Sequence, residues 1–270
     1  MNQEHLQGKL PITSDDVNLL TKALSELRLK YFAEEVGSDL ATMSESERKV
    51  IIKHFSKWAT SEKTQRHAAR IEALIRSAKF VTIQTVDTFA FNYTKSVQAI
   101  QKNYLSLYYS IAPDCLPSAI FTGTAGLGKT HLSRALGYAS CQKSISVLFT
   151  TAATMVNELA SAQKTFTLEQ ELKKYRRPSV LIIDELGYVA LDAQASNLFF
   201  QVISARHDMK LGTIATTNLP FGKFNQIFAN DAIAHAIIDR LVSAADVFYV
   251  EGPSYRDKER EVLRQKRRGK

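Results

Sequence analysis

Residues 123–130 read Gly-Thr-Ala-Gly-Leu-Gly-Lys-Thr, the spacing GxxxxGK[ST] of a P-loop with every defining position filled. Glycines let a strand-to-helix connection curl until its backbone N–H groups point inward at phosphates. The helix that follows adds the positive end of its dipole. In such a loop Lys129 brings charge to the β- and γ-phosphates and Thr130 brings a hydroxyl to magnesium. Gly123, Thr124, Ala125, Gly126, Leu127, Gly128 and His131 complete the candidate cradle, and ATP with magnesium are the expected cofactors. From average residue usage, a chain of this length matches the pattern by accident roughly once in a hundred. The flanks make accident rarer. Ile120, Phe121 and Thr122 read as a short buried strand, and 131–139 as a helix with Leu132, Ala135, Leu136 and Ala139 on one face.

Three further elements surround the loop. Residues 180–185 read Val-Leu-Ile-Ile-Asp-Glu, a strand apolar on both faces as in a parallel sheet. Its two acids emerge at the C-terminal end, where open α/β sheets bind ligands. Asp184 is the candidate magnesium holder and Glu185 the candidate base for an attacking water; the alternative is an acidic helix cap. Residues 213–218, Thr-Ile-Ala-Thr-Thr-Asn, form a β-branched run. Asn218 either orients the water, if this strand lies between the other two, or starts a turn. Arg240 closes an apolar-faced helix at 232–240. It is either an arginine finger acting on a neighbouring subunit's nucleotide or half of a surface pair with Asp239.

The chain has 270 residues and is 45% hydrophobic, enough for a sizeable core and for two domains. It has no apolar run of membrane-span length, and 1–9 is polar, so neither a membrane anchor nor a signal peptide is expected. Its two cysteines, Cys115 and Cys141, lack metal-ligand spacing and read as reduced thiols of a cytoplasmic protein. Net charge is +8 and unevenly spread. Residues 48–79 carry nine Lys/Arg against two acids, and 254–270 eight against three. Such excess is either a solvated face or a surface for a polyanion, and beside an ATPase motif nucleic acid is the better fit.

The N-terminal part reads as helical. Val17, Leu20, Leu24, Leu27 and Tyr31 step by three and four behind a Ser14 cap. Ser44 and Glu47 form a capping box. The helix after it is expected to bury Val50, Ile51, Phe55 and Trp58 and to show Lys49, Lys53 and Lys57 on the other side. A further helix from Ser61 is expected to bury Ala68, Ile71, Leu74, Ile75 and Ala78 and to show Lys63, Arg66 and Arg70. Two basic faces on neighbouring helices suit a phosphate backbone. Residues 80–93 read as an extended link, with Phe89 and Phe91 either as core or as walls of an adenine pocket, and 103–111 as a short helix. Strands are expected at 119–122, 146–150, 179–184, 212–217 and 247–250. That pattern is an α/β fold, a five-stranded parallel sheet between two helical layers. The insertion 152–178 ends in Lys173, Lys174, Arg176 and Arg177, a cluster for DNA, for a neighbouring subunit, or simply for solvent. The expected domains are 1–79 helical and DNA-binding, 80–116 linker and short helix, 117–253 ATPase, and 254–270 basic tail.

The stretches GKTH (128–131), LIIDELGY (181–188), TTNLPFGKF (216–224) and DRL with GPSYR (239–256) resemble the IstB family, with looser similarity N-terminally. IstB proteins are the ATPase helpers of a bacterial transposon family and are similar to the replicative helicase loader DnaC. The resemblance implies an AAA+ fold of the initiator and loader branch with little or no lid. It implies that Lys129 and Thr130 are Walker A, Asp184 and Glu185 Walker B, Asn218 sensor 1 and Arg240 the finger in trans. Arg256 matches a second sensor. One departure stands out: Ala125-Gly126 replaces the usual Pro-Gly pair, which loosens the loop without removing a phosphate-binding donor.

The expected function is an ATPase that oligomerises on double-stranded DNA and recruits the DDE transposase of the same element, with ATP between subunits. The alternative is a DnaC-like helicase loader, whose N-terminal domain holds a helicase instead of DNA. A DNA scaffold with incidental hydrolysis fits Glu185 poorly, and a P-loop kinase leaves the basic helices idle.

Overall fold

The computed structural model describes residues 14–268. The polar start at 1–9, the side chain of Ser14 and the last two residues of the basic tail lie outside what is described. The chain divides into two compact units, Met1–Arg70 and Ile71–Lys270.

The first unit is built from α1 (Ser14–Glu26), α2 (Lys30–Thr42) and most of α3 (Glu45–Ser77). Leu20, Leu24 and Leu27, then Ala33 and Leu40, then Ile52 and Ala59, form its core. The apolar face expected to run to Tyr31 stops at Leu27. Arg28 takes φ +63°, which turns the chain and resets the helical phase, so Tyr31 is 81% exposed. The capping box is present: Ser44 N donates to Glu47 Oε2 at 3.1 Å, and Glu47 N to Ser44 Oγ at 3.4 Å.

No new helix starts at Ser61. α3 is continuous for 33 residues. It contains no Gly or Pro, and the Thr60 and Thr64 hydroxyls donate back to Ser56 O and Thr60 O, so neither competes for backbone outside the helix. The two basic sets therefore lie along one helix. Only a narrow stripe of α3 is covered, with Ile52 and Ala59 buried and Ile51 and Phe55 beside them. Val50 and Trp58, expected inside, fall off that stripe and are 58% and 56% exposed. Ala68 is exposed for the same reason.

The second unit contains α4 (Lys95–Ser110), β1 (Ala119–Gly123), α5 (Lys129–Gln142), β2 (Val147–Thr151), α6 (Ala152–Lys164), α7 (Leu168–Arg176), β3 (Val180–Leu186), α8 (Ala193–Asp208), β4 (Gly212–Thr217), α9 (Asp231–Val242), β5 (Asp246–Val250) and α10 (Tyr255–Arg268). The strands form one parallel sheet in the order β2-β3-β4-β1-β5. β4 thus lies between the strand that feeds the P-loop and the strand that carries the two acids. One face packs on α6, α8 and α9 through Met155, Leu159, Phe199, Val202 and Ile237. The other packs on α4 and α5 through Tyr104, Leu132, Leu136 and Phe121. Cys141 is buried in this second face, where loss of water pushes its thiol up to about 12; Cys115 is exposed.

α4 begins well before the expected residue 103, because Thr94 caps it by accepting from Val97 N at 3.1 Å. Residues 80–93 also differ from a free link. Ala78 O accepts from Phe149 N on the edge strand β2 at 2.8 Å. Phe80 fills the space left by Gly137 on α5, and Phe91 is buried. The segment is a strap held along α5.

Candidate nucleotide site

The cavity above the C-terminal ends of β1, β3 and β4 has a volume of about 540 Å³. The loop from Ala125 to His131 forms its floor, Asp184, Glu185, Thr216 and Thr217 one side, and Thr88, Phe89, Ala90 and Tyr93 of the strap another. Gly126 and Gly128 have φ of +79° and +81°. A Cβ on Gly128 would come within 2.4 Å of Phe89 Cε2, and one on Gly126 within 2.2 Å of Ser254 Oγ. Both glycines are required by backbone conformation and by neighbours. Tyr255 N donates to Gly126 O at 3.0 Å, so the start of α10 also braces the loop.

Lys129 Nζ donates to Gly123 O at 2.7 Å and Thr124 O at 2.8 Å. Burial pushes its ammonium down to about 8, opposed by the Asp184 carboxylate and helped by the Arg256 charge. Thr130 Oγ1 donates to Asp184 Oδ1 at 2.9 Å. That contact ties the helix start to β3 across the intervening strand. Asp184 is 4% exposed. A P-loop hydroxyl beside one buried carboxylate is a donor set suited to magnesium, which takes its remaining ligands from phosphates and water. The positive-φ loop, the hydroxyl–carboxylate pair and the lysine above them fit a magnesium nucleotide.

Glu185 is exposed toward the cavity side of a register shift in β3, with φ +62°. Ile183 pairs with Ala215 and Leu186 with Thr217, so Asp184 and Glu185 together face Thr216. The Thr216 hydroxyl donates to Asp184 Oδ1 at 2.5 Å and accepts from Glu185 N at 3.0 Å. Asn218 follows β4 as expected, but it is exposed and does not line the cavity. His131 Nε2 donates to Thr85 O of the strap at 2.8 Å. Arg256, in the first turn of α10, lines the cavity.

Arg240 is outside this cavity. Its guanidinium lies 5.0 Å over the Phe200 ring and donates to Ser204 Oγ and Ala236 O, each at 3.0 Å. Among the basic candidates, Lys63 pairs with Glu26 and Arg66 with Glu62. Lys174 sits between Glu158 and Glu171, and Arg176 meets Glu169 at 3.5 Å. Lys49, Lys53, Lys57, Arg70, Lys173 and Arg177 have no ion pair among the described residues.

Sequence reasoning passed over three residues, Thr216, Arg134 and Arg206. Thr216 lay inside a quoted run, but a threonine in a strand is ordinary. Of the two aromatics read either as core or as pocket wall, Phe89 lines the cavity and Phe91 does not. Arg134, one turn beyond Thr130, also lines it; burial pushes its guanidinium down against the pull of Asp184 and Glu185. Arg206 is fully buried and spends its donors on Tyr175 O, Pro178 O, Ser179 O, Gly212 O and Thr213 Oγ1.

A family model described as IstB-like ATP binding protein matches residues 22–262. The insertion sequence IS232 putative ATP-binding protein of Bacillus thuringiensis subsp. berliner is 32% identical over 89% of this chain and 94% of its own length. The insertion sequence IS21 putative ATP-binding protein of Pseudomonas aeruginosa is 27% identical over 88% of each. Among solved structures, the DnaC helicase loader aligns with a TM-score of 0.55 at 19% identity, covering 62% of this chain and 96% of that one. AMPPCP-bound DnaA from Aquifex aeolicus aligns with a TM-score of 0.52 at 16% identity, covering 67% and 55%. These last two establish likeness of fold.

Proposed function

This chain belongs to the IstB-like ATP binding proteins, and from that premise we propose that it is a magnesium-dependent ATPase that assembles on duplex DNA and recruits the DDE transposase of its mobile element. The observation that carries the reading is the Thr130–Asp184 contact beneath a cavity walled by Lys129 and Glu185. Bound MgATP supplies a γ-phosphorus open to in-line attack and a cation that offsets the charge growing on its oxygens. Lys129 neutralises phosphate charge from one side. Thr130 and Asp184 hold the cation's position. Glu185 accepts a hydrogen bond from a water and orients it. Phe89 and Tyr93 give the cavity an aromatic wall suited to a base.

Arg240 does not line its own chain's cavity, which suits a residue supplied to a neighbouring copy. ATP then closes an interface, and hydrolysis loosens it. The α3 cations that have no ion pair among the described residues suit phosphate contacts with little sequence readout.

The test is sedimentation with duplex or single-stranded DNA, with ATP, ADP or neither, at two salt concentrations. The expected result is a large assembly that requires ATP and prefers duplex. Glu185→Gln is expected to bind ATP as the native chain does, to lose turnover by at least about a hundredfold, and to remain assembled on DNA. Native turnover in that variant would remove Glu185 from the chemistry. A preference for single strands would favour the second reading, a helicase loader, to which the DnaC-like fold also lends support.

A further inference from the structure

We propose that Thr216 is the positioning residue of this site: one hydroxyl fastens the Asp184 carboxylate to the backbone of Glu185 and sets both acids at once. The inference rests on the reading of the cavity as a magnesium nucleotide site.

The argument begins with the ladder. β3 gains one residue on β4 between Ile183 and Leu186. A bulge of this kind leaves one residue unpaired and bends its strand. Here the N–H of Glu185 is bonded by a side chain, the Thr216 hydroxyl, at 3.0 Å. That hydroxyl has one proton. A backbone N–H can only donate, so the proton goes to Asp184 Oδ1, 2.5 Å away. The direction of both bonds is therefore settled by chemistry.

Two hydroxyls, Thr130 and Thr216, donate to the same oxygen of Asp184, while Oδ2 receives no hydrogen bond from the described residues. The carboxylate plane is pinned from the start of α5 and from β4, and one oxygen is kept for other partners. The same contact supports the left-handed backbone of Glu185, φ +62°. A non-glycine residue adopts that conformation only where its surroundings hold it. It turns the Glu185 side chain out of the sheet and onto the cavity wall. Thr216 is 2% exposed, and its neighbours in β4, Ala215 and Thr217, make no such link. Packing alone would be served equally well by valine, which has the same shape.

The test compares Thr216→Val and Thr216→Ser with the native chain in three measurements: affinity for a fluorescent ATP analogue as magnesium is titrated, steady-state turnover, and melting temperature. For Thr216→Val, affinity without magnesium is expected to stay within about threefold of native. The magnesium concentration for half-maximal tight binding should rise about 10- to 100-fold, and kcat should fall by a similar factor, as when a partner that orients a metal ligand is removed. Thr216→Ser, which keeps the hydroxyl, should remain within about threefold on both. Thr216→Cys, a weak donor of similar size, should follow valine and serves if the valine variant does not fold. A native magnesium midpoint in Thr216→Val or Thr216→Cys, or equal impairment in Thr216→Ser, overturns the proposal. If the native chain binds MgATP but never hydrolyses it, the functional reading fails while the magnesium midpoints still decide this one.

Discussion

Two buried polar side chains, Asp184 and Arg206, illustrate the limits on charge inside this sheet. Asp184 is held by hydroxyls and sits where a cation is expected. Arg206 faces carbonyl oxygens and a threonine hydroxyl and pairs with no carboxylate among the described residues. Burial pushes its guanidinium down to about 9, yet it stays charged near neutrality because the surrounding carbonyls take its protons' hydrogen bonds. It ties the end of α7 to the start of β4. Arg206→Leu would remove the guanidinium's hydrogen bonds to Tyr175 O, Pro178 O and Gly212 O, while Ser179 O keeps the one from Gly212 N, and is expected to lower stability by about 3 kcal/mol, read as a drop in the urea midpoint with an unchanged slope. A midpoint equal to native would mean that water replaces the guanidinium. Nothing in the sequence around Arg206 marks it, since an Arg one turn from a helix end is usually solvated.

At the scale of elements, the P-loop is a contact between three pieces of chain. Gly128 is met by Phe89 of the strap, and Gly126 by Ser254 before α10. Gly128→Ala is expected to weaken ATP binding at least tenfold and to cost about 1–2 kcal/mol in stability from the left-handed backbone alone. Adding Phe89→Ala should relieve the steric part and leave the conformational part. A double-mutant cycle on ATP affinity reads the coupling, and strict additivity would deny the contact. The strands, the loop and the acids were legible because phosphate binding and two-sided burial are written in short, local patterns such as 120–130 and 180–185. Three features were not. Ser61 offered a helix start that α3 ignores, because its neighbours' hydroxyls bond within the helix. The course of 80–93 depends on the gap at Gly137, forty residues away or more. Asn218 was the natural amide to aim at a water, yet the residues that reach the site from β4 are Thr216 and Thr217, and the bulge in the neighbouring strand sets Thr216 against both acids.

At the scale of the whole molecule, a net charge of +8 is offered to partners mainly where it is not already paired. Lys53 and Lys57 are exposed on α3 and free of ion pairs among the described residues, whereas Lys63, Arg66 and Lys174 are engaged. Reversing Lys53 and Lys57 to Glu is expected to weaken duplex binding at least tenfold at moderate salt and to flatten the dependence of affinity on salt, because each lost phosphate contact removes about 0.9 from the logarithmic slope. Reversing Lys174 should change that slope little and stability more. Fluorescence anisotropy across a salt series separates the two; equal slopes for both variants would mean that the exposed α3 cations do not meet DNA.

The strap that follows α3 has a consequence of its own. It walls the cavity with Phe89 and Tyr93, and it is latched to the loop through His131 and Thr85. Anything that fills the cavity must therefore oppose peeling of the strap, by about 2.7 kcal/mol when the ligand stands at a hundred times its Kd. In amide exchange, residues 85–93 should slow by about a hundredfold on adding nucleotide if they open as one unit, while the middle of β3 keeps its rate. The occupancy of the phosphate loop would then be written, as a change in opening frequency, into the length of chain that leads away from the sheet.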